Sequence, residues 1–234
     1  MSEIMLQQTQ VSRVLSKYGQ FIKVFPTFKS LNASSFVDIL KVWQGLGYNR
    51  RAKYLKEIAR TVTEKYHGIF PLTRDAVREF PGIGDATAGS IIVFAYNTPE
   101  VFIETNIRRV YIHFFFSEKV EVSDKEIEKM VEKTLDRKNP REWYYALMDY
   151  GAMLSQKVEN PNKKSIHYRK QSPFENSVRQ ARGAIIKKLS NEGMILADNL
   201  KESFVYEEIK IYKALEGLEK EGMIVKEGNV YRIK

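Results

Sequence analysis

Apolar residues recur at helical spacing through the first two thirds of the chain. Ile4, Val11, Val14, Leu15 and Tyr18 fall on one predicted helical face, and Phe36, Ile39, Leu40 and Trp43 fall on another. Ser123-Asp124-Lys125-Glu126 reads as a capping box that opens a helix carrying Ile127, Met130, Val131 and Leu135. Asn139-Pro140 offers a cap and a first-turn proline for a further helix running to about Leu154. Turns punctuate these segments at Gly45-Leu46-Gly47, at Gly68 through Pro71 and at Pro81-Gly82-Ile83-Gly84. No period-two alternation of any length occurs, so residues 1–155 are expected to be all-α.

From Asn160 to Ser172 the chain is polar and carries Lys163, Lys164, Arg169 and Lys170 without an acidic residue, as in a linker or capping loop. Beyond it the pattern predicts helices near 175–190, around 196–202 and near 206–221. The end, Met223 through Ile233, reads as two short strands about a Gly228-Asn229 turn. Three helices followed by a hairpin is the order of a winged helix, a relative of the helix-turn-helix. The expected division is therefore 1–155, a basic loop at 156–173, and a winged-helix-like α+β module at 174–234.

Composition narrows the function classes. The 234 residues hold 38 Lys and Arg against 29 Asp and Glu, a net charge of +9. Residues 174–234 contribute eleven basic and ten acidic side chains, so the excess sits in the first part of the chain. A basic surface of this kind suits a polyanionic partner, because Lys and Arg displace counterions from phosphates; a solvated basic face is the other reading. The chain has no Cys, which removes disulfides, thiol catalysis, thiolate zinc sites and cysteine-held iron–sulfur clusters. Only His67, His113 and His167 could serve an imidazole site, so no metal is expected. No run of about eighteen apolar residues is present, and the first residues lack a basic-then-apolar leader pattern, so neither a membrane span nor a signal peptide is expected.

The most informative stretch is Phe80-Pro81-Gly82-Ile83-Gly84-Asp85-Ala86-Thr87-Ala88-Gly89. A helix ends, a tight turn with two glycines follows, and a second helix begins at once. Such a turn lets backbone N–H groups approach a ligand, giving a socket for one phosphate on any sequence. Taken alone, it is equally an ordinary joint between helices.

It is not alone. This segment resembles the hairpin of the helix–hairpin–helix DNA glycosylases, the superfamily of endonuclease III and MutY, and the closest resemblance is to the MutY-like adenine glycosylases. Ser2-Glu3-Ile4-Met5-Leu6-Gln7-Gln8-Thr9-Gln10-Val11 resembles one signature of that group, and Gln44-Gly45-Leu46-Gly47-Tyr48-Asn49-Arg50-Arg51-Ala52 resembles a second at the expected separation. Val101 through Val110 resembles the segment after the hairpin, and Tyr150-Gly151-Ala152-Met153 the stretch before the family's iron–sulfur loop. The resemblance covers about residues 2–155. It implies a mainly α helix–hairpin–helix glycosylase fold ahead of the winged-helix-like module, and base-excision repair of double-stranded DNA carrying a mispaired or damaged base. A cytoplasmic, nucleoid-associated location accompanies that expectation.

The implied chemistry needs two carboxyl groups, one protonated to help the base depart and one ionised to stabilise a positive sugar or activate water. The resemblance gives the first role to Glu3 and the second to Glu104. It assigns DNA contacts to Gln8, Thr9, Leu46, Gly47, Tyr48, Arg50, Gly82, Ile83, Gly84 and Thr87, with Gln8 and Tyr48 entering the base stack once a nucleotide is flipped. By residue type, other readings stay open. Ser2-Glu3 would suit a helix cap, Glu104 a carboxylate at a helix N-terminus. Tyr48 would suit a core aromatic, and Arg50, Arg51, Arg108 and Arg109 serve phosphates or solvated faces equally well.

Three departures from the family pattern are visible. Glu104 stands where the family has Asp and is one methylene longer. Ala86 stands where endonuclease III relatives have a Schiff-base lysine, so no β-lyase step is expected by that route. The loop from Ser155 to Ser172 has none of the four cluster-binding cysteines, so no cofactor is expected. The alternatives are a catalytically impaired DNA-binding relative, and a mismatch glycosylase acting on thymine or uracil opposite guanine.

Overall fold

Short polar side chains fix where two of the early helices begin. The computed structural model describes all 234 residues. Its amino-terminal stretch forms α1 (Ser2–Leu6), α2 (Val11–Val24), α3 (Phe28–Ala33), α4 (Phe36–Trp43) and α5 (Arg50–Glu64). Thr27 opens α3 through a capping box with Ser30, and the Ser35 hydroxyl accepts from the Asp38 N–H to open α4. Ile39, Leu40 and Trp43 bury the predicted face of α4. The face drawn for the first helix needs correction. The chain breaks between Leu6 and Val11, with Gln8 at φ +53°, so Ile4 lies on a separate helix. On α2 the buried residues are Val14 and Phe21, while Val11 and Leu15 are 61% and 73% exposed.

Residues 71–171 fold as one compact unit. It comprises α6 (Arg74–Arg78), α7 (Asp85–Tyr96), α8 (Thr105–Phe115), α9 (Asp124–Thr134) and α10 (Pro140–Lys157). The expected capping box at Ser123 and Glu126 opens α9, and Pro140 occupies the first turn of α10. Phe102, Ile107, Tyr111, Ile127, Val131 and Tyr144 meet in its core. Helices α8 and α10 cross closely enough that a Cβ on Gly151 would stand 2.5 Å from the Asn106 carbonyl oxygen. The segment after α10 caps this unit. Val122 donates to the Lys164 carbonyl at 2.8 Å, and the Asn162 amide donates to the Thr105 carbonyl at 3.0 Å.

The remaining residues, 172–234, cluster with residues 1–70 in the other compact unit. They form α11 (Val178–Glu192), β1 (Ile195–Leu196), α12 (Leu200–Ser203), α13 (Glu208–Lys220), β2 (Ile224–Glu227) and β3 (Val230–Ile233). The hairpin β2–β3 was expected. The two-residue β1 is additional; it pairs antiparallel with β3 through Ile195–Tyr231 and Leu196–Val230, completing the sheet order β1-β3-β2. Helix α11 packs on α4, and Ile185, Ile186, Leu189, Leu215 and Leu218 are buried. The two units thus group the chain differently from the consecutive division drawn from sequence.

Candidate active site

In the first unit, two loops that resemble family signatures are organised by one buried cation. Arg51, the second residue of α5, is 5% exposed. Its guanidinium donates to the carbonyls of Ile4 (2.9 Å), Met5 (2.6 Å) and Gln7 (2.6 Å), and to the Thr9 hydroxyl (2.8 Å). From the same group, bonds run to the carbonyls of Leu46 (3.1 Å) and Gly47 (3.0 Å). The ring of Trp43 lies 5.3 Å from the guanidinium carbon and that of Tyr48 5.5 Å. Burial pushes the Arg51 pKa down to about 10, so the group stays charged at neutral pH. A rigid fork of donors is the one side chain able to collect so many carbonyls.

Around this clamp the backbone is strained where the resemblance places DNA-entering side chains. Tyr48 has φ +47° and Gln8 φ +53°, left-handed conformations that cost a non-glycine residue about 1 kcal/mol or more. Both side chains are exposed, Tyr48 by 39%. Gly47, at φ +70°, presents its carbonyl to the Trp43 indole N–H at 3.0 Å. Glu3 lies in the first turn of α1 and is partly buried.

The hairpin lies in the second unit. Gly82 takes φ +74°, and Ile83 donates to the Phe80 carbonyl at 3.2 Å to close the turn. Gly84 is the N-cap of α7 and brings no capping side chain; space around its missing Cβ is open. Thr87 sits in the first turn and is partly buried. Asp85, at the helix start, is paired with Arg74 at 2.5 Å and Arg78 at 3.3 Å, which offsets its charge beside the exposed helix end.

Glu104 caps α8. Its Oε1 accepts from the backbone N–H groups of Asn106 (2.6 Å) and Ile107 (2.8 Å). Burial raises its pKa above the ordinary carboxylate value, opposed by those two N–H donors and by Arg108 and Arg109. The capping reading and the resemblance thus fall on the same carboxylate: the cap fixes its position and leaves Oε2 outside both bonds. Arg108 and Arg109 turn inward. Arg108 grips Asp124 with two bonds of 2.8 and 2.7 Å, and Arg109 donates to Asn106 and the Gly151 carbonyl.

Several expected DNA contacts have side chains committed elsewhere. Leu46 is 2% and Ile83 6% exposed, so both fill the interior and offer a ligand their backbone only. The Thr9 hydroxyl is bound to Arg51, and Arg50 pairs with Glu221. Apolar shape explains the first two, and an available carboxylate the last. In the segment after α10, Lys163 pairs with Glu159 at 2.8 Å and Lys164 donates to the Ser117 carbonyl. Arg51 is the organising residue that sequence reasoning left ambiguous. Its one signal was position, immediately after a glycine-rich loop whose carbonyls need donors.

Comparison with known proteins then decides the lineage. Residues 1–137 match the HhH-GPD superfamily base excision DNA repair protein family. The chain belongs to this family. Among curated relatives of this base-excision repair family, an adenine DNA glycosylase of Buchnera aphidicola subsp. Baizongia pistaciae is 39% identical over 164 residues, covering 68% of this chain and 46% of the relative. The adenine DNA glycosylase of Mycolicibacterium smegmatis is 40% identical over 109 residues, 47% of this chain and 37% of that protein. The chain therefore spans less than half the length of these relatives. A solved thermostable thymine-DNA glycosylase aligns with TM-score 0.58 and 25% identity, over 65% of this chain and 71% of that one. An endonuclease III–DNA covalent intermediate aligns with TM-score 0.55 and 20% identity, over 74% and 75%, a likeness of fold.

The family's iron–sulfur cluster does not fit the residues present. The loop from Ser155 to Ser172 offers hydroxyl, amide, imidazole and ammonium groups but no thiolate, and no cluster of three His, Cys, Asp or Glu side chains is arranged to hold a metal. Hydrogen bonds from Asn162 and Val122 organise that loop instead.

Proposed function

We propose that this chain is a DNA glycosylase of the adenine-specific branch, which flips out a mispaired adenine opposite guanine or 8-oxoguanine and hydrolyses its glycosidic bond. The observation that carries the reading is the 39% identity with an adenine DNA glycosylase over 68% of this chain. The geometry of Glu104 supports it, because a carboxylate fixed by two N–H donors at a helix N-terminus needs little reorganisation to face a positive sugar.

In this reading the C1′–N bond breaks and the base leaves with the electron pair and a proton from Glu3; water then adds to C1′ and gives up the proton that restores the Glu3 carboxyl, while Glu104 stays ionised. Gln8 and Tyr48 fill the gap left in the stack, and the hairpin from Gly82 to Thr87 grips one phosphate. Ala86, on the first turn of α7, supplies no amine, so the enzyme is monofunctional and leaves an abasic site. Its partner is double-stranded DNA within the cell. A second reading, removal of thymine or uracil opposite guanine, is favoured by the likeness to the thermostable thymine-DNA glycosylase.

Single-turnover assays on A·8-oxoG, A·G, T·G and U·G duplexes separate these readings. Alkali-dependent strand breaks confined to the adenine strands are the expected result; breaks at T·G and U·G alone select the second reading. Strand breaks without alkali contradict the monofunctional assignment.

A further inference from the structure

In the winged-helix-like module, the helix before the hairpin carries mixed charge. Helix α13 places Glu208, Glu216 and Glu219 among Lys210, Lys213 and Lys220, and exposes Ile209 and Tyr212. What the module does touch is the loop between α4 and α5. Gln44 donates to Asn191 at 3.2 Å, Arg179 donates to the Tyr48 hydroxyl at 3.3 Å, and Arg50 pairs with Glu221. Three residues within one seven-residue stretch are thus held from α11 and the end of α13.

The holding groups are themselves fixed. Glu221 also takes Arg182 at 2.5 Å, and its carbonyl accepts from Lys53. Arg179 is anchored by the Ser172 carbonyl at 2.6 Å and lies 6.0 Å from the ring of Phe174. Helix α11 packs on α4, the helix from which the loop departs. Tyr48 is consequently held between two cations, Arg51 at its ring face and Arg179 at its hydroxyl, in a backbone conformation that is strained without support.

We infer that residues 172–234 act as a brace for the Gln44–Arg50 loop, and that Arg179 is a positioning residue that sets Tyr48 for discrimination of the base opposite the excised one. The inference rests on the proposed role of Tyr48 in the base stack. The module then contributes to specificity through the loop rather than by reading DNA itself.

The test is a double-mutant cycle in the full chain, with Arg179→Ala, Tyr48→Phe and both together. The readout is the dissociation constant for a duplex carrying a tetrahydrofuran abasic site opposite thymine divided by that for the same site opposite guanine. Each single variant is expected to reduce that ratio about threefold to tenfold, the size of one partly exposed hydrogen bond, with the double variant no worse than either. Arg179→Lys recovers part of the loss, and Ile209→Ala, on the exposed face of α13, leaves the ratio unchanged. A wild-type ratio in Arg179→Ala, or losses that multiply in the double variant, overturns the brace. Should the unaltered protein bind abasic duplexes no better than intact DNA, the glycosylase reading fails. The same cycle read by thermal unfolding then decides the brace separately: coupled losses in Tm support it and additive ones overturn it.

Discussion

At the residue scale, Arg51 shows how a charge can be buried without a counter-ion. Carbonyl oxygens from the segments 4–7 and 46–47, with the Thr9 hydroxyl, stand in for a carboxylate. Removing the donor strands those oxygens away from water. Arg51→Met is therefore expected to cost about 3 kcal/mol or more, a fall in Tm of roughly 6–12 °C for a chain of this size. Arg51→Lys, with three donors on a point charge, should recover only part. Differential scanning calorimetry measures both, and a Tm for Arg51→Met within a degree or two of the unaltered protein contradicts the clamp. Sequence alone left this residue open because arginine is ordinarily exposed and its partners are backbone atoms, which no pattern of side chains announces. Leu46 and Thr9 were placed by resemblance, yet the Leu46 carbonyl and the Thr9 hydroxyl serve the same knot.

At the element scale, the helix starts were legible where a cap sits in the sequence. Ser123 with Glu126, and Pro140, open helices as their residue types dictate. The face of α2 was not legible, because periodicity names a stripe without naming the neighbour that covers it. The two-residue β1 has too little sequence to alternate. Glu104 illustrates how one carboxylate can be both cap and candidate catalyst. Burial lifts its pKa, so as pH falls it takes up a proton earlier than an ordinary glutamate. If the ionised form is required, the rate falls on the acid side with a midpoint above that of an ordinary glutamate. The folded state binds this proton more tightly than the unfolded chain does, so this group favours folding as it protonates. Its contribution to stability therefore rises while the rate falls. A single-turnover pH profile, run alongside thermal unfolding at each pH, checks this. An acid limb at or below the ordinary value contradicts it.

At the scale of the whole molecule, the mainly α character and the carboxy-terminal hairpin followed from pattern, and the lineage followed from four motifs in order. The grouping of residues 172–234 with residues 1–70 did not. It rests on bonds such as Gln44 to Asn191 and Arg50 to Glu221, between residues far apart in the chain that carry no mutual signature. Glu221 has its pKa lowered, burial being outweighed by Arg50 and Arg182, which marks the docking as electrostatic as well as apolar. The central claim is chemical, and it concerns Glu3 and Glu104. Its most direct measurement is single-turnover base release from an A·8-oxoG duplex by the unaltered chain, Glu3→Gln and Glu104→Gln, with duplex binding measured in parallel. The account predicts alkali-labile sites with the unaltered protein, and rates lower by about two orders of magnitude or more in each variant while binding persists. Rates in either variant equal to those of the unaltered protein would contradict it.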